Sequence, residues 1–348
     1  MAQVGLAFNL KQPGWQGESE EDEPPDSQAE YDSPETMQAV AEALRQGGHE
    51  VVFLEANESF LERLRQECPQ VVFNLAEGLR GESRESHVPA LLEMLGIPYT
   101  GSGVLSLAVC LDKPVAKMLL RQQGVRTPGF RVVKPGEEVD TSGLSFPLFV
   151  KPAHEGSSMG VTPRSVVENE GELVRQVACV HQMYRQEALV EEFLSGREFT
   201  VGLLGNRHLH AFPIMEINYS PVPPEHGAVY SRHFKEHWDD DRYYLCPAPV
   251  STELEEQLLA AATAAFRALG CRDVARVDLR LDGEGRVHVL ELNPLPGMAP
   301  GFSDLPRAAA AGGWSYAELV NGILDVCLYR LGMPHLASDL LIPRKMLA

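Results

Sequence analysis

The stretch ARVDLRLDGEGRVHVLELNPLPG, from Ala275 to Gly297, decides which fold the chain adopts. Apolar and polar residues alternate in two runs, and the sequence Asp-Gly-Glu-Gly at 282–285 joins them. A short connection rich in glycine and aspartate between two alternating runs is typical of a β-hairpin. The stretch therefore predicts two antiparallel strands joined by a tight turn.

Because side chains alternate between the two faces of a strand, the hairpin has two chemically different faces. With the turn centred between Gly283 and Glu284, Arg276 would lie opposite Glu291 and Asp278 opposite Val289. The polar face would then carry Arg276, Asp278, Glu291 and Asn293, and the buried face Val277, Leu279, Leu290 and Leu292. A register shift of one residue would move side chains to the opposite face and break this arrangement.

The polar face of the hairpin is typical of a site for a metal ion and phosphate. Diagonal neighbours on paired strands lie about 7–8 Å apart, so two carboxylates there repel each other unless a cation lies between them. Carboxylate and amide oxygens are the ligands that Mg²⁺ prefers. The Pro/Gly segment at 294–297 would expose N–H groups beside them. The alternative is an ordinary polar strand face in contact with solvent.

The composition indicates a globular protein whose main partner is neither nucleic acid nor an anionic membrane. The 348 residues suffice for two or three domains, and their 44% hydrophobic content is ordinary. The net charge of −19 repels polyanions, although a few clustered lysines can still bind a nucleotide. No signal peptide or membrane-spanning run is found, and the six cysteines are scattered, so we expect a cytoplasmic protein with reduced thiols.

Residues 1–104 are predicted to form an N-terminal parallel α/β domain, because strands alternate with helices there. The strands are at 3–9, 50–54 and 70–75, and the helices begin at Ser33 and Phe60. Ligands bind at the carboxyl ends of parallel strands, so the segment 74–86 is a candidate substrate loop.

The segment 11–32 interrupts this domain and contains the acidic sequence GESEEDEPPD. Its composition prevents it from burying enough apolar surface to order itself. We therefore expect a mobile loop, and the alternative is a lid that becomes ordered when a ligand binds.

The sequence PAHEGSSMGV at 152–161 is typical of a loop that binds phosphate. Glycine and serine allow the backbone to approach closely, and consecutive N–H groups can surround phosphate oxygens. Lys151 ends the strand before this loop, and Lys113 lies inside a predicted helix at 105–123. The alternative is an ordinary surface loop beside a strand-terminal lysine, which more often covers apolar surface than binds a ligand.

Two other segments have unusual polarity. LVEEFL at 189–194 places carboxylates within an apolar run, which is rare unless a ligand or partner accepts their charge. The segment 218–244 is predicted to be a long polar loop, and helices are predicted at 252–269 and 316–331.

Taken in order, the segments GIPYTGSG, LDK, FVKPAHEGSSMGV, LVEEFLSGREFTV, CPAP, RVDLRL and ELNPLPG resemble the D-alanine–D-alanine ligases of the ATP-grasp superfamily. The resemblance extends from about the third strand to the last helix. It implies an α/β (α+β) protein with the ATP-grasp fold: three α/β domains, with ATP between two antiparallel sheets. The domains would be 1–104, with the acidic loop 11–32, then a central domain at 105–190 and a metal-binding C-terminal domain at 191–348.

The resemblance implies a nucleotide-binding role for each matching residue. Lys113 and Lys151 would contact the α- and β-phosphates of ATP. The loop over the β- and γ-phosphates would be Glu155, Gly156, Ser157, Ser158, Met159 and Gly160. Glu191 would bind the adenine amino group, Glu192, Phe193 and Leu194 would follow the adenine edge, and Glu198 would bind the ribose.

The resemblance also implies the residues of the reaction centre. Two Mg²⁺ ions, or Mn²⁺, would be held by Asp278, Glu291 and Asn293, with Glu291 bridging them. Arg276 and the N–H of Gly297 would stabilise the tetrahedral oxyanion. Lys235 would neutralise the transferred phosphoryl group, and Ser157 matches a serine of the family's phosphate loop.

Four departures from the family fall in the expected amino-acid pocket. The sequence after the first strand offers no equivalent of the family's glutamate that binds the amine of the first D-alanine. Arg84 and Glu85 lie near two expected acidic positions, and Glu236 replaces a tyrosine. Phe302 lies where a serine is expected, unless the loop shifts by one residue to use Ser303. Arg84, His87, Arg232 and His233 would favour a larger or more anionic substrate, unless they are ordinary surface charges.

The sequence therefore predicts an ATP- and Mg²⁺-dependent carboxylate–amine ligase that forms a dipeptide-type amide through an acyl-phosphate. One alternative is an ATP-grasp ligase with another amino-acid or secondary-metabolite substrate. Another is a nucleotide-binding regulatory protein that has lost catalysis. The family would also suggest a homodimer.

Overall fold

Three sheets organise the part of the chain that the computed structural model describes, which is residues 1–12, 24–223, 226–338 and 340. The first sheet is parallel, and the other two are antiparallel. Within these ranges no helix is both long and apolar enough to cross a membrane.

The N-terminal sheet is parallel, as the alternation of strands and helices predicts. Strand β1 (Gln3–Phe8) lies between β2 (Glu50–Glu55) and β3 (Val71–Asn74) and pairs with both in parallel. The helices of this region are α1 (Pro34–Gln46), α2 (Phe60–Glu67) and α3 (His87–Leu95). Residues 13–23 of the predicted mobile loop lie outside the described ranges, whereas residues 24–32 pack against the central part of the chain.

A capping aspartate corrects the prediction of one helix at 105–123. The chain instead forms α4 (Val104–Leu111) and α5 (Lys113–Gln122). Asp112 separates them with a ψ of 86°, outside the helical region, and its carboxylate accepts the Val115 N–H at 3.0 Å. A side chain that satisfies an N–H of the first turn defines a helix start. Lys113 is therefore the first residue of α5 rather than a residue of a helix interior.

The four-stranded sheet has the order β4-β7-β5-β6, and all its pairings are antiparallel. Its elements are β4 (Phe130–Val133), β5 (Leu148–Pro152), β6 (Val166–Val167), the helix α6 (Glu170–Tyr184) and β7 (Ala188–Glu192). Lys151 and Glu191 come from neighbouring strands of this sheet, which brings their side chains together.

The six-stranded sheet has the order β11-β10-β8-β12-β13, with β9 paired to β8. Its strands are β8 (Glu198–Gly205), β9 (Leu209–Ala211), β10 (Met215–Ile217), β11 (Tyr244–Leu245), β12 (Val274–Leu281) and β13 (Val287–Asn293). The segment 218–244 is not entirely a loop, because it contains the helix α7 (Arg232–His237). The remaining helices are α8 (Thr252–Ala268), α9 (Asp304–Ala311) and α10 (Tyr316–Arg330).

The hairpin of β12 and β13 forms as predicted, but its register differs from the prediction. Arg276 pairs with Asn293 and Asp278 with Glu291, whereas Leu279 pairs with Val289. Leu290 is therefore an extra residue in β13, at a β-bulge.

The bulge keeps the polar residues on one face. Near the turn, Leu281 pairs with Val287, and this register continued without a bulge would place Asp278 opposite Leu290. The extra residue restores the pairing of Asp278 with Glu291. Leu290 itself is wrongly placed by the prediction, because it faces the cavity between the sheets, while Val289 is buried in the core.

Two apolar clusters fix the six-stranded sheet in place. One face packs Val277, Leu279 and Val289 against Leu258 and Phe266 of α8. A second cluster joins the N-terminal sheet to the end of the six-stranded sheet through α1 and α10; its members include Leu6, Leu44, Leu204, Ile323 and Leu324. Packing of this kind leaves the polar face of the sheet free to form a site.

Candidate active site

A cavity lies between the four-stranded and six-stranded sheets, and we call it the inner cavity. The two sheets supply its opposite walls, while the loop at 155–161 and α7 border it. The predicted residues in its wall are Lys113, Lys151, Glu155, Ser157, Ser158, Met159, Glu191, Glu192, Phe193, Leu194, Glu198, Lys235, Arg276, Asp278 and Glu291. Gly156, Gly160, Asn293 and Gly297 lie beside the inner cavity and not in its wall.

The loop at 155–160 has a backbone suited to an anion. Ser157, Ser158 and Gly160 have φ values of 45°, 61° and 73°, in the left-handed region that is uncommon for residues other than glycine. Consecutive N–H groups in turn conformations form a concavity that binds anions. The Ser158 hydroxyl donates to the Tyr230 carbonyl at 2.8 Å, which links the loop to the segment before α7.

Two carboxylates of residues 24–32, which we call the acidic strap, hold this loop from its outer side. Glu30 Oε1 accepts the Gly156 N–H at 2.7 Å, and Asp26 Oδ2 accepts the Gly160 N–H at 2.8 Å. Neither acid lines the inner cavity. The N–H groups of Ser157 and Ser158 lie between these two anchors, so the strap fixes both ends of the loop.

Arg84 connects the acidic strap to the loop at 155–160. Its Nη2 donates to Glu30 Oε2 at 2.6 Å and to Glu155 Oε2 at 2.8 Å, and its Nη1 donates to the His154 carbonyl at 3.0 Å. Burial raises the pKa of the Glu155 carboxyl, and the Arg84 charge opposes this shift. Arg84 therefore compensates two buried carboxylates at once.

Four cationic side chains surround the carboxylate of Glu291. The Nζ atoms of Lys113 and Lys151 lie 3.7 Å and 3.9 Å from its Oε2. Burial alone would raise the pKa of Glu291, but Lys113, Lys151, Arg276 and Lys235 outweigh it and lower the pKa to about 2. A concentration of positive charge around one carboxylate attracts a polyanion such as a triphosphate.

Glu191 lies between two lysines, one of which the sequence reasoning missed. Its Oε1 is 2.5 Å from Nζ of Lys117, and its Oε2 is 2.9 Å from Nζ of Lys151. Lys117 also donates to the carbonyl of Leu290, the bulge residue, at 2.8 Å. Burial, only partly offset by Glu191, lowers the pKa of Lys117 to about 8. Lys117 thus ties α5 to both sheets.

The residues predicted to hold adenine and ribose form one end of the inner cavity. The rings of Phe149 and Phe193 stack with centroids 6.3 Å apart. Glu198 accepts from Nη1 of Arg280 and from the Tyr219 hydroxyl, both at 2.8 Å. The apolar rings and the anchored carboxylate give this end the chemistry of a nucleoside site.

Arg276 and Asn293 bind Asp278 at the other end of the cavity. Nη2 of Arg276 donates to Asp278 Oδ2 at 2.8 Å, and Nδ2 of Asn293 donates to the same oxygen at 2.9 Å. The Thr200 hydroxyl donates to Asp278 Oδ1 at 2.8 Å. Nη1 of Arg276 also lies 3.3 Å from Asp304 Oδ2, so the guanidinium spans two carboxylates.

These residues are compatible with a hard divalent cation, although the protein supplies few ligands. Among the described residues, no group of three or more histidine, cysteine, aspartate or glutamate side chains could hold a metal ion. Asp278 and Glu291 are directly opposed in the hairpin, with Asn293 beside them. Mg²⁺ sites often combine one or two carboxylates with phosphate oxygens and water. The donor set therefore fits Mg²⁺ that arrives with a phosphate ligand.

A second cavity of 330 Å³, which we call the outer cavity, adjoins the inner cavity. The two cavities share Ser157, Tyr230, Lys235 and Arg276. Gly297 lies in the wall of the outer cavity, together with Lys11, Asp32, Arg232, Glu236, Phe302 and Ser303. Arg276 at the junction can therefore contact ligands on both sides.

The outer cavity contains an acid that the sequence reasoning did not find. Asp32 follows the acidic sequence and pairs with Leu10 just after β1, so its carboxylate returns to the end of the first strand. Burial raises the pKa of Asp32 to about 7. A long insertion between β1 and Asp32 hid this acid from motif comparison, and only the chain path reveals it.

The structure places the other residues that depart from the family pattern in different surroundings. Glu236 and Arg232 form an ion pair at 2.6 Å in the wall of the outer cavity. Ser303 accepts the Ala299 N–H at 3.1 Å, and Phe302 lines the outer cavity although it is 46% exposed. His87 and His233 line neither cavity in the described structure. Arg84 is not an ordinary surface charge, since it is buried.

The comparisons with known proteins agree with this geometry. A family model described as D-ala D-ala ligase C-terminus matches residues 119–325. An uncharacterized protein, y4sG of Sinorhizobium fredii, is 41% identical over 83% of this chain and 86% of its own length. The D-alanine–D-alanine ligase of Syntrophotalea carbinolica is 38% identical over 83% of this chain and 89% of its own.

A solved structure shows the same fold. The D-alanine–D-alanine ligase of Bacillus anthracis, complexed with ATP, superposes with a TM-score of 0.73 at 26% identity. The match covers 95% of this chain and 98% of that chain.

The contacts of Arg84 with Glu30 and Glu155, which we call the Arg84 clamp, lead to a prediction. Replacing Arg84 with Met leaves Glu30 and Glu155 uncompensated, and breaking a buried ion pair on one side costs about 3–5 kcal/mol. Part of this cost should appear as a distorted phosphate loop, so we expect the Kd of ATP to rise about tenfold or more. The measurement is isothermal calorimetry on Arg84→Met, with Arg80→Met on the exposed part of the same segment as the control. Equal ATP affinity in Arg84→Met and the wild type would contradict the clamp.

Proposed function

Because the chain belongs to the D-alanine–D-alanine ligase family of ATP-dependent ligases, we propose that it joins the carboxyl group of one amino acid to the amino group of another through an acyl-phosphate. The observation that supports this most is the meeting of two cavities at Arg276. One has the charges for a triphosphate, and the other has space for amino acids. D-Alanine is the substrate in the names of the ligases of Syntrophotalea carbinolica and Bacillus anthracis, and the residues of the outer cavity favour a different amino acid here.

The first chemical step activates the donor. A carboxylate does not react with an amine until one of its oxygens becomes part of a good leaving group. In our proposal a donor carboxylate oxygen in the outer cavity attacks the γ-phosphorus of ATP, and ADP leaves from the inner cavity. Lys113, Lys151 and Lys235 would stabilise the charge on the phosphoryl oxygens, as would the N–H groups of Ser157 and Ser158.

The metal-binding residues would act in the same step. Glu291 is ionised through the whole physiological pH range, because its pKa is lowered to about 2. Asp278 and Asn293 share a hydrogen bond, and rotation of the Asn293 amide would present its oxygen instead. Mg²⁺ bound here with the triphosphate would neutralise charge and orient the γ-phosphate.

The second step forms the amide bond. The neutral acceptor amine attacks the acyl-phosphate carbon, and the tetrahedral oxyanion collapses by breaking the bond between this carbon and the phosphate oxygen. Phosphate leaves, and the proton lost by the amine passes to the phosphate or to solvent. Arg276 and the N–H of Gly297 border the outer cavity and would donate to that oxyanion. Two carboxylates, Asp278 and Asp304, hold the Arg276 guanidinium in place, which reduces the reorganisation needed during the reaction.

Water must be excluded while the acyl-phosphate exists, since water would hydrolyse it. α7 and the segment before it cover the junction of the two cavities. Lys235 Nζ lies 4.5 Å from the centre of the Tyr230 ring, and the Tyr230 hydroxyl donates to Asp304 at 2.8 Å. Together with the Ser158 contact, these interactions give a lid that closes on the phosphate loop.

The metal-binding carboxylate provides the first test of this function. In Glu291→Gln the charge that faces the cations and Mg²⁺ is lost, so we expect the rate of ADP formation to fall about 100-fold or more. The assay measures ADP release across pairs of D- and L-amino acids, with mass spectrometry of the products. The control is Glu284→Gln in the exposed turn of the same hairpin. A Glu291→Gln enzyme that is folded by circular dichroism and fully active would refute the proposal.

The outer-cavity acid provides a second test. Asp32 would hold the ammonium group of the donor, and it does so only when ionised. Burial raises its pKa to about 7, so the charged form is present above pH 7 and is lost as the pH falls. We expect kcat/KM for the donor to decrease about tenfold per pH unit below pH 7.

The comparison variant is Asp32→Asn, which should have a low kcat/KM without this pH dependence. Measurements from pH 5.5 to 8.5 on both proteins isolate the contribution of Asp32 from other titrating groups, because only the difference between the profiles is interpreted. Identical profiles would exclude Asp32 from amine binding.

A further inference from the structure

The outer cavity contains a cation, Lys11, whose ammonium group has no partner among the described residues. Lys11 lines its wall, and among the described residues its ammonium group makes neither a hydrogen bond nor an ion pair within 4.0 Å. The other cations of the wall are occupied: Arg276 by Asp278 and Asp304, and Arg232 by Glu236. Lys235 borders the inner cavity as well, where the phosphoryl group is transferred. Lys11 borders the outer cavity alone.

The backbone fixes Lys11 beside the acid that would hold the donor. The Lys11 N–H donates to the Asp32 carbonyl at 3.0 Å, and the Asp32 N–H donates to the Asn9 carbonyl at 2.9 Å. These bonds pair the end of the first strand with the end of the acidic strap. The side chains of Lys11 and Asp32 lie close enough to affect each other's pKa, yet they do not form an ion pair. An ammonium and a carboxylate are thus presented side by side to the cavity.

The lack of a partner for the Lys11 ammonium group among the described residues has a thermodynamic consequence. Burial lowers the pKa of Lys11, and the nearby Arg232 lowers it further. Taking a charge out of water is costly unless a partner compensates it. A ligand anion would be such a partner, so the cavity is complementary to a molecule that carries an ammonium for Asp32 and an additional anion for Lys11.

The chemistry of the reaction decides whether this molecule is the donor or the acceptor. The acceptor must present a neutral amine as nucleophile, so it is not the molecule held as an ammonium ion. The donor keeps its ammonium group throughout the reaction and uses its α-carboxylate at Arg276. The acceptor also carries an α-carboxylate, but the backbone holds Lys11 beside Asp32, which would bind the donor, so we assign the anion that meets Lys11 to the donor's side chain. One unpaired cation suits a single negative charge better than a doubly charged phosphate ester.

We propose that the donor is an amino acid of the aspartate or glutamate class, whose side chain ends in a carboxylate, and that Lys11 selects it. This inference rests on the proposed ligase function. The cavity of 330 Å³ has room for such a side chain. Lys11 is a specificity residue and takes no part in the bond-forming steps.

The test compares each acidic amino acid with its neutral amide of nearly equal shape. ADP formation and product masses are measured at pH 8, with D- and L-glutamate against the corresponding glutamine, and aspartate against asparagine, each with a panel of acceptors. We expect kcat/KM for one acidic donor to exceed that for its amide at least tenfold. In Lys11→Met this ratio should fall to about one, while Lys11→Arg should largely preserve it. The control is Lys134→Met, an exposed lysine remote from both cavities.

The outcomes separate this inference from the proposed function. An acidic preference that Lys11→Met abolishes supports the selection by Lys11. A second outcome is ADP formation that depends on Glu291 but is equally fast with acidic amino acids, with their amides or with D-alanine. If Lys11→Met also leaves the ratio of kcat/KM for acid and amide unchanged, the inference is overturned and the ligase function stands. No Glu291-dependent ADP formation with any amino acid overturns the proposed function and the inference with it.

Discussion

The mutual repulsion of cations around Glu291 is the constraint on which the rest of the structure depends. Lys113, Lys151, Lys235 and Arg276 come from four different parts of the chain, and all of them lower the pKa of this one carboxyl. A single carboxylate does not neutralise four positive charges. The arrangement is held by packing and by the ion pairs of Lys151 with Glu191 and of Arg276 with Asp278 and Asp304. A polyphosphate with its metal ion would gain attraction from Lys113 and Lys235, which lie beside Glu291 without a carboxylate pair of this kind among the described residues.

The loop at 155–160 connects this charge cluster to the N-terminal part of the chain. Two of its serines have left-handed backbone conformations, which persist only where surrounding contacts hold them. Glu30 and Asp26 supply these contacts from outside, and Arg84 compensates the charge of Glu30. The N-terminal sheet therefore contributes to the active site through a strap, as well as through the acid and lysine that border the outer cavity.

The elements that follow from local chemistry were predictable from the sequence. The parallel N-terminal sheet, the helix cap at Ser33 and the hairpin of β12 and β13 are confirmed. The fold implied by the family resemblance is confirmed by the solved relative. Alternation and capping express preferences of adjacent residues, so a sequence alone reveals them.

Features that depend on tertiary contacts were not predictable. The bulge at Leu290 is stabilised by Lys117 of α5, a residue more than one hundred positions away in sequence whose own role no motif indicated. The predicted helix at 105–123 breaks at Asp112, where the Lys113 N–H donates to the distant Ala153 carbonyl at 3.1 Å and Asp112 caps α5. Asp32 and Lys11 share a cavity only because the chain returns to the end of β1 after a long insertion. The periodicity of apolar residues carries no information about contacts between residues that are far apart in the sequence.

In the proposed mechanism the donor carboxylate is activated as an acyl-phosphate. The most direct measurement uses a donor amino acid labelled with ¹⁸O in its α-carboxylate, with mass analysis of the phosphate released during amide formation. In an acyl-phosphate mechanism one carboxylate oxygen leaves with the phosphoryl group, so we predict one ¹⁸O atom in each phosphate formed. Unlabelled phosphate accompanied by full amide formation would contradict the mechanism and the assignment of the two cavities built on it.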